Sequence, residues 1–236
     1  MKMNNSNKQL ILDFYTRILG QTDSDFAESV IAENYIQHNP MVKTGRNGFM
    51  EFLMMLKQIP KSGDQKKPFK RLICDGDLVV VHSQITFMGK ENAVVDLFRI
   101  ENNKIVEHWD AVQEIVNAKP VVVGTLEFDE EELTETNKQL VREFINQLFI
   151  QRQTAKLTGF VANDLTLGHF EMEYDHFKLY RVIGERNFVL TQSEIIVKGV
   201  SFAVYDIYRL SSRRIVEHWR VKQRIPGQMA HNNGMF

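Results

Sequence analysis

The segment DLFRIENNKIVEHWDAVQ at residues 96–113 returns as DIYRLSSRRIVEHWRVKQ at residues 206–223. Asp96, Arg99, Ile105, Val106, Glu107, His108, Trp109 and Gln113 each meet an identical residue 110 positions later. The same offset pairs Arg71 with Arg181, Ser83 with Ser193 and Gly89 with Gly199. Nearer the start, Asn7-Lys8-Gln9-Leu10 recurs as Asn137-Lys138-Gln139-Leu140, at an offset of 130. The second copy therefore lacks 20 residues between those blocks. Solenoid units run to roughly 20–50 residues, so a repeat this long is a duplicated domain. The chain reads as one fold written twice, and the differences between the copies bear on function.

The expected division is a first domain at 1–118, a connector at 119–133 and a shortened second domain at 134–236. A domain of that size can bury a core without staples. Residues 1–118 carry 14 Lys and Arg against 15 Asp and Glu, and the remainder 15 against 15. Neither half has the basic excess that binding to a phosphate backbone leaves, so no nucleic-acid partner is expected. The short run Lys66, Lys67, Lys70, Arg71 reads as a solvated loop. Cys74 is the single cysteine, which excludes a disulfide frame and a thiolate metal site and fits a reducing compartment. The seven His are scattered without ligand spacing, and there is neither a Gly-rich phosphate loop nor a Ser elbow. No metal and no cofactor is expected. The stretch LILDFYTRIL is broken by Asp13 and Arg17, and no apolar run approaches membrane-spanning length, so the expected location is cytoplasmic.

Each copy is expected to open with a helix, capped by Ser6-x-x-Gln9 or Thr136-x-x-Gln139. Leu10, Phe14 and Ile18, and later Leu140, Phe144 and Leu148, then share one helical face. Second helices are expected near 24–33 and 154–163. A third at 45–57, with Phe49, Phe52, Leu53 and Leu56 as its stripe, belongs to the first copy alone. Strands are expected at 68–75, 78–88, 92–101 and 104–114, and at 178–185, 188–198, 200–210 and 214–224. Asn102-Asn103 signals a hairpin, because Asn tolerates positive φ; Ser211-Ser212-Arg213 is a poorer turn at the same place. This order gives an α+β class, with N-terminal helices packed on an antiparallel sheet in each copy. Val94, Phe98, Ile100 and Ile105 on one face, with Val95, Leu97, Val106 and Val112 on the other, leave that sheet apolar on both sides. The second copy is the expected cover, as an intramolecular pseudo-dimer, with further homodimerisation left open.

Tyr35-Ile36-Gln37-His38-Asn39-Pro40 after two helices, followed by DLFRIENNKIVEHWDAVQ, resembles the SnoaL-like proteins, the polyketide-cyclase branch of the nuclear transport factor 2-like superfamily. The ending RIPGQMAHNNGMF is similar to that of a bacterial subgroup described as aldol-condensation enzymes. The resemblance implies two tandem cone-shaped domains, each a curved sheet around a helix-lined pocket. It leaves the reaction open, since such folds host cyclases, isomerases, hydrolases and plain binding proteins.

Catalytic candidates are Asp110, Asp96, His38 and His108; substrate-binding candidates are Asn39, Tyr35, Phe98, Trp109 and Gln113. Asp96 lies within an apolar strand, where a carboxylate is either paired or raised in pKa. Asp206 repeats it, which suggests scaffold. Asp110 separates the copies most sharply, since its counterpart is Arg220. In a plain two-residue hairpin Asp96 would oppose Trp109, while His108 and Asp110 would point to the other face. A β-bulge near 108–110 would bring Asp110 back. Two functions follow. One is cofactor-free acid/base chemistry on a small apolar or carbonyl-containing ligand in the first copy. The other is a binding or pairing module without chemistry.

Overall fold

A computed structural model describes residues 2–58, 69–87, 89–116, 124–129, 131–162 and 164–236. Lys66, Lys67 and part of the connector lie outside them. Two compact units emerge. The first gathers Met1–Gly89, Val94–Asp110 and Pro226–Phe236; the second gathers Lys90–Ala93 and Ala111–Ile225. The tail Pro226–Phe236, expected within the second domain, is thus grouped with the first unit. Both units are α+β, with one sheet each.

In the first unit α1 (Lys2–Asp13) runs on into a π-helical turn, Phe14–Leu19. Asp23 caps α2 (Ser24–Val30), its side chain accepting from Phe26 N at 3.0 Å. The chain then becomes β1 (Ile31–Gln37), ending α2 short of the expected residue 33. This strand was not expected, and it pairs in parallel with β5, so the sheet is mixed. The other expected elements are present as α3 (Gly45–Gln58), β2 (Phe69–Asp75), β3 (Leu78–Phe87), β4 (Lys90–Glu101) and β5 (Lys104–Glu114), in spatial order β1-β5-β4-β3-β2. Leu10, Phe14, Ile18, Phe49 and Leu53 pack with Phe98, Ile100 and Ile105 in one core.

In the second unit α4 (Thr134–Phe144) likewise enters a π-helical turn, Ile145–Ile150. The sheet has four strands in order: β6 (His176–Glu185), β7 (Phe188–Val197), β8 (Val200–Ser211) and β9 (Arg214–Arg224). The expected helix at 154–163 is a 3-10 turn, Thr154–Gly159, and the place of β1 is taken by a single parallel bridge, Val161 to Ile215. Where α3 stands in the first unit there is only the 3-10 turn Leu167–His169.

Ser6 and Thr136 do not cap their helices. Both lie inside them, because α1 and α4 start four and two residues earlier. The glutamines instead bond one turn onward, Gln9 to Asp13 and Gln139 to Glu143. The repeated asparagines do closely matched work. Asn7 Nδ2 donates to Gly76 O in the β2–β3 turn, and Asn137 Nδ2 donates to Arg186 O in the β6–β7 turn. These side chains clamp each first helix to the far end of its own sheet.

Both long hairpins turn through two left-handed residues, Asn102 and Asn103 (φ 49° and 60°) and Ser212 and Arg213 (φ 51° and 60°). Such primed turns match the twist of the strands they join. The register then shifts. Leu210 pairs with Ile215, but Arg209 pairs with Glu217, leaving Val216 as an extra residue. Beyond this bulge Tyr208 opposes His218 and Asp206 opposes Arg220. The side-chain pairs Arg99–Glu107 and Asp96–His108 repeat Arg209–Glu217 and Asp206–His218, so β4 and β5 carry the same offset. A bulge at Val106, two residues nearer the turn than 108–110, reverses the expected pleat. His108 and Asp110 join Asp96 and Phe98, and Trp109 moves to the opposite face.

Candidate functional site

The bulge gathers Asp96, His108 and Asp110 inside the first unit, beneath the aromatic packing of Phe14, Tyr15, Phe69 and Phe98. Asp110 and His108 are buried and Asp96 nearly so. Their hydrogen bonds are ordered by backbone groups, which leaves little freedom in reading them. Gln37 Oε1 accepts from the backbone N of both His38 and Asn39, at 2.9 Å each. Backbone donors fix which amide atom is oxygen, so His108 Nδ1, 2.9 Å from that oxygen, must carry a proton. The variable proton of His108 is therefore on Nε2, which faces Asp96 Oδ1 at 3.0 Å. Tyr15 in the π-helical turn donates to the other oxygen, Asp96 Oδ2, at 2.5 Å. Both oxygens of Asp96 are engaged.

Asp110 differs. Asn39 Nδ2 donates to its Oδ2 at 2.5 Å, and the orientation of that amide is fixed because Met41 N donates to Asn39 Oδ1. Among the described residues, Asp110 Oδ1 is buried without a hydrogen-bond partner. Burial pushes this carboxyl up to about 6; the Asp96 charge adds to the rise, while His108 and the Asn39 bond oppose it. For His108, burial works against the charged form, but the Asp96 bond and the charges of Asp110 and Asp96 outweigh it and raise the pKa above the ordinary value. Burial and the adjacent Asp96 hold the Tyr15 phenol well above its usual value, so it serves as a donor.

The remaining candidates are placed less centrally. Tyr35 is buried, and its hydroxyl accepts from Gln37 Nε2 at 3.1 Å. Phe98 lies 4.7 Å from the His108 ring, centroid to centroid. His38 is on the opposite face of the sheet from the carboxylates. It stacks on Trp109 at 4.9 Å, with Nε2 on Glu107 and Nδ1 on Gly234 O, both at 2.9 Å. A neutral ring can donate to only one of these acceptors, and burial keeps the pKa of His38 below its ordinary value. Of the candidates, His38 and Trp109 therefore brace the sheet and do not reach Asp96 or Asp110. Gln113 falls in the second unit, where its Oε1 accepts from Lys222 N at 2.8 Å. Arg99 binds Glu107, and among the described residues no arginine pairs with Asp96.

The second unit shows what the same scaffold does without Asp110. Arg220 Nε lies 2.7 Å from Asp206 Oδ1, and His218 Nε2 lies 2.6 Å from the same atom. Burial favours neutral Asp206, but the Arg220 charge and His218 prevail and hold it at about 2. Phe170 and Tyr208 cover the His218 ring. Along the 130 offset Tyr15 becomes Ile145, Tyr35 becomes Leu165 and Gln37 becomes Leu167. Tyr15 and Gln37 were missed in the sequence, although the copy comparison that singled out Asp110 marks them too.

One ligand atom from each of Asp96, His108 and Asp110 lies within 4.8 Å of the others, a span a divalent cation could bridge. The Nε2–Oδ1 hydrogen bond lets His108 and Asp96 share a proton without a cation. Among the described residues no helix is long and apolar enough to cross a membrane.

No curated protein matches the chain. Among solved structures, TsrD of Streptomyces laurentii is 19% identical, with 46% of this chain and 89% of that one covered at a TM-score of 0.35. Wild-type IdmH of Streptomyces antibioticus is 18% identical, covering 45% and 91% at 0.37. An NTF-2-like protein of Burkholderia xenovorans LB400 is 14% identical, covering 53% and 99% at 0.40. Each spans about half of this chain, and none of them speaks to a reaction. Residues 9–118 match the family described as SnoaL-like polyketide cyclase, so it is the first half of the chain that is similar to that family.

Proposed function

We propose that the first unit is an acid/base catalyst acting on a small, mostly apolar carbonyl compound, in an aldol-type cyclisation or an isomerisation. One observation carries this: Asp110 presents a buried, unpartnered oxygen on a carboxyl poised near 6. A base of that pKa is largely ionised at neutral pH and strong enough to take a proton from carbon next to a carbonyl. In the proposed step Asp110 Oδ1 takes that proton, and the electron pair moves onto the carbonyl oxygen. His108 Nε2, sharing its proton with Asp96, is the donor for that oxygen. Asp110 then returns its proton to another carbon in an isomerisation, or to the new alkoxide in an aldol closure. Tyr15, Gln37 and Asn39 hold the three groups in position, and the surrounding aromatic side chains exclude water, which strengthens each charge interaction.

The experiment is deuterium wash-in from D₂O, followed by NMR, over a panel of apolar ketones and β-dicarbonyl compounds with the full chain. Wild type should exchange the α-protons of a subset, with a rate that rises with pH through about 6 as Asp110 ionises. Asp110→Asn should lose about 10²–10⁴-fold of that rate, the usual worth of a general base. EDTA should leave the rate unchanged; a rate restored only by added divalent cation would replace this reading with a metal-assisted one. Exchange by Asp110→Asn at the wild-type rate would refute it.

A second reading, a pairing module without chemistry, draws on one observation in the second unit. Val112 N donates to Gln223 Oε1 at 2.7 Å and Lys222 N to Gln113 Oε1 at 2.8 Å, a reciprocal pair between positions 110 residues apart. Self-complementary contacts of this kind mark isologous pairing. This reading predicts no wash-in with any member of the panel.

A further inference from the structure

We propose that the C-terminal segment Pro226–Phe236 completes the candidate active site: it fixes the backbone of residues 37–40, and His231 is a positioning residue that acts on Asp110 through Asn39. The proposal rests on the reading of Asp110 as the base.

Four consecutive residues, Gln37 at the end of β1 and the three that follow it, are each bonded to the tail. Asn233 Nδ2 donates to Gln37 O at 2.9 Å, and the His38 ring meets Gly234 O at 2.9 Å. His231 Nε2 donates to Asn39 O at 2.9 Å, and Ala230 N to Pro40 O at 2.8 Å. The direction of the His231 bond is fixed, because Asn233 N donates to its Nδ1 and leaves the ring proton on Nε2. The tail is anchored rather than draped. Met235 and His231 are buried, and Asn233 also donates to Thr44 Oγ1 at 3.0 Å, the hydroxyl that accepts from Gln37 N.

The held residues are the ones that organise the site from behind. Gln37 and Asn39 alternate with His38 along the chain, and their side chains reach inward to His108 Nδ1 and Asp110 Oδ2. Apart from Gln37 and His38 against His108, this segment leaves the sheet, so strand pairing does not hold Asn39. Asn39 O accepts from Val42 N at 3.2 Å and from His231, and the His231 bond is the shorter. A chain end that only finished the fold would have no need to bind three carbonyls and a ring along four successive residues, 37–40.

The test is a ¹³C NMR titration of the Asp110 carboxyl in the full chain, comparing wild type with Asn39→Ala, His231→Ala and His231→Gln. Asn39→Ala should move the midpoint upward, since the bond it removes favours the ionised form. His231→Ala should move it in the same direction. His231→Gln, whose amide can donate from near the position of Nε2, should bring it back towards wild type. A wild-type midpoint in His231→Ala, or no shift in Asn39→Ala, overturns the proposal, whatever happens to the melting temperature. If His231→Ala does not fold, Asn233→Ala, an exposed side chain, takes its place and is judged by the same upward shift or its absence. Turnover in Asp110→Asn tests the base by itself, so this clamp can fail while that reading stands.

Discussion

The carboxyl of Asp110 sits where the fold disfavours its charge. Burial raises its pKa to about 6 from the ordinary value of 3.8, so the folded chain binds this proton more tightly than the unfolded chain does. The sign follows. The penalty is absent below the unfolded pKa, grows as pH rises from about 4 to about 6, and is fully present at pH 7. Asp110→Asn, which keeps the shape and removes the charge, should therefore stabilise the protein at pH 7, by roughly 1–3 kcal/mol. Near pH 4 the gain should shrink towards zero. Urea unfolding of both proteins at the two pH values measures this, and a variant less stable than wild type at pH 7 would show that Asp110 is structural. Gain of stability with loss of activity is the usual mark of a residue kept for function.

At the scale of elements, the two long hairpins do the same job with unequal turn chemistry. Asn tolerates the left-handed region, so Asn102 and Asn103 adopt it at little cost. Arg213, exposed at φ 60°, does not tolerate it well. Arg213→Gly should stabilise the chain by up to about 1 kcal/mol, the left-handed strain relieved less the added chain entropy of glycine. Asn103→Gly should gain less. Urea unfolding of the two variants ranks them, and the reverse order would contradict this account of the turns. Turns, strands and α3 were legible in the sequence because each leaves a local mark: Asn pairs, two-residue alternation, a stripe at 49, 52, 53 and 56. What was not legible is the bulge, whose extra residue, Val216 in β9, is as apolar and β-branched as Ile215 before it. The alternation in IVEHW therefore gives no sign of the slip, although that slip decides which way His108 and Asp110 point. β1 was hidden for a related reason: a short segment beside a helix, with partners some seventy residues away in β5.

For the molecule as a whole, the repeated segments 96–113 and 206–223 make each half a control for the other. Asp96–His108 and Asp206–His218 are the same pair on the same bulged hairpin. What surrounds them differs. The first unit adds Tyr15, Gln37, Asn39 and Asp110, and the second adds Arg220, which satisfies Asp206 outright. The sequence disclosed Asp110 through its replacement by Arg220, since that contrast needs no structure. It did not disclose that His38 belongs to the opposite face, or that the tail 226–236 returns to residues 37–40, because contacts across nearly two hundred residues leave no local pattern. The central claim is that one scaffold holds a poised carboxyl in the first unit and a neutralised one in the second. A ¹³C NMR titration of the aspartate carboxyls of the full-length protein tests it most directly. The account predicts that Asp110 titrates near 6 and Asp206 near 2, whereas an Asp110 that titrates at the ordinary value of 3.8 would contradict it.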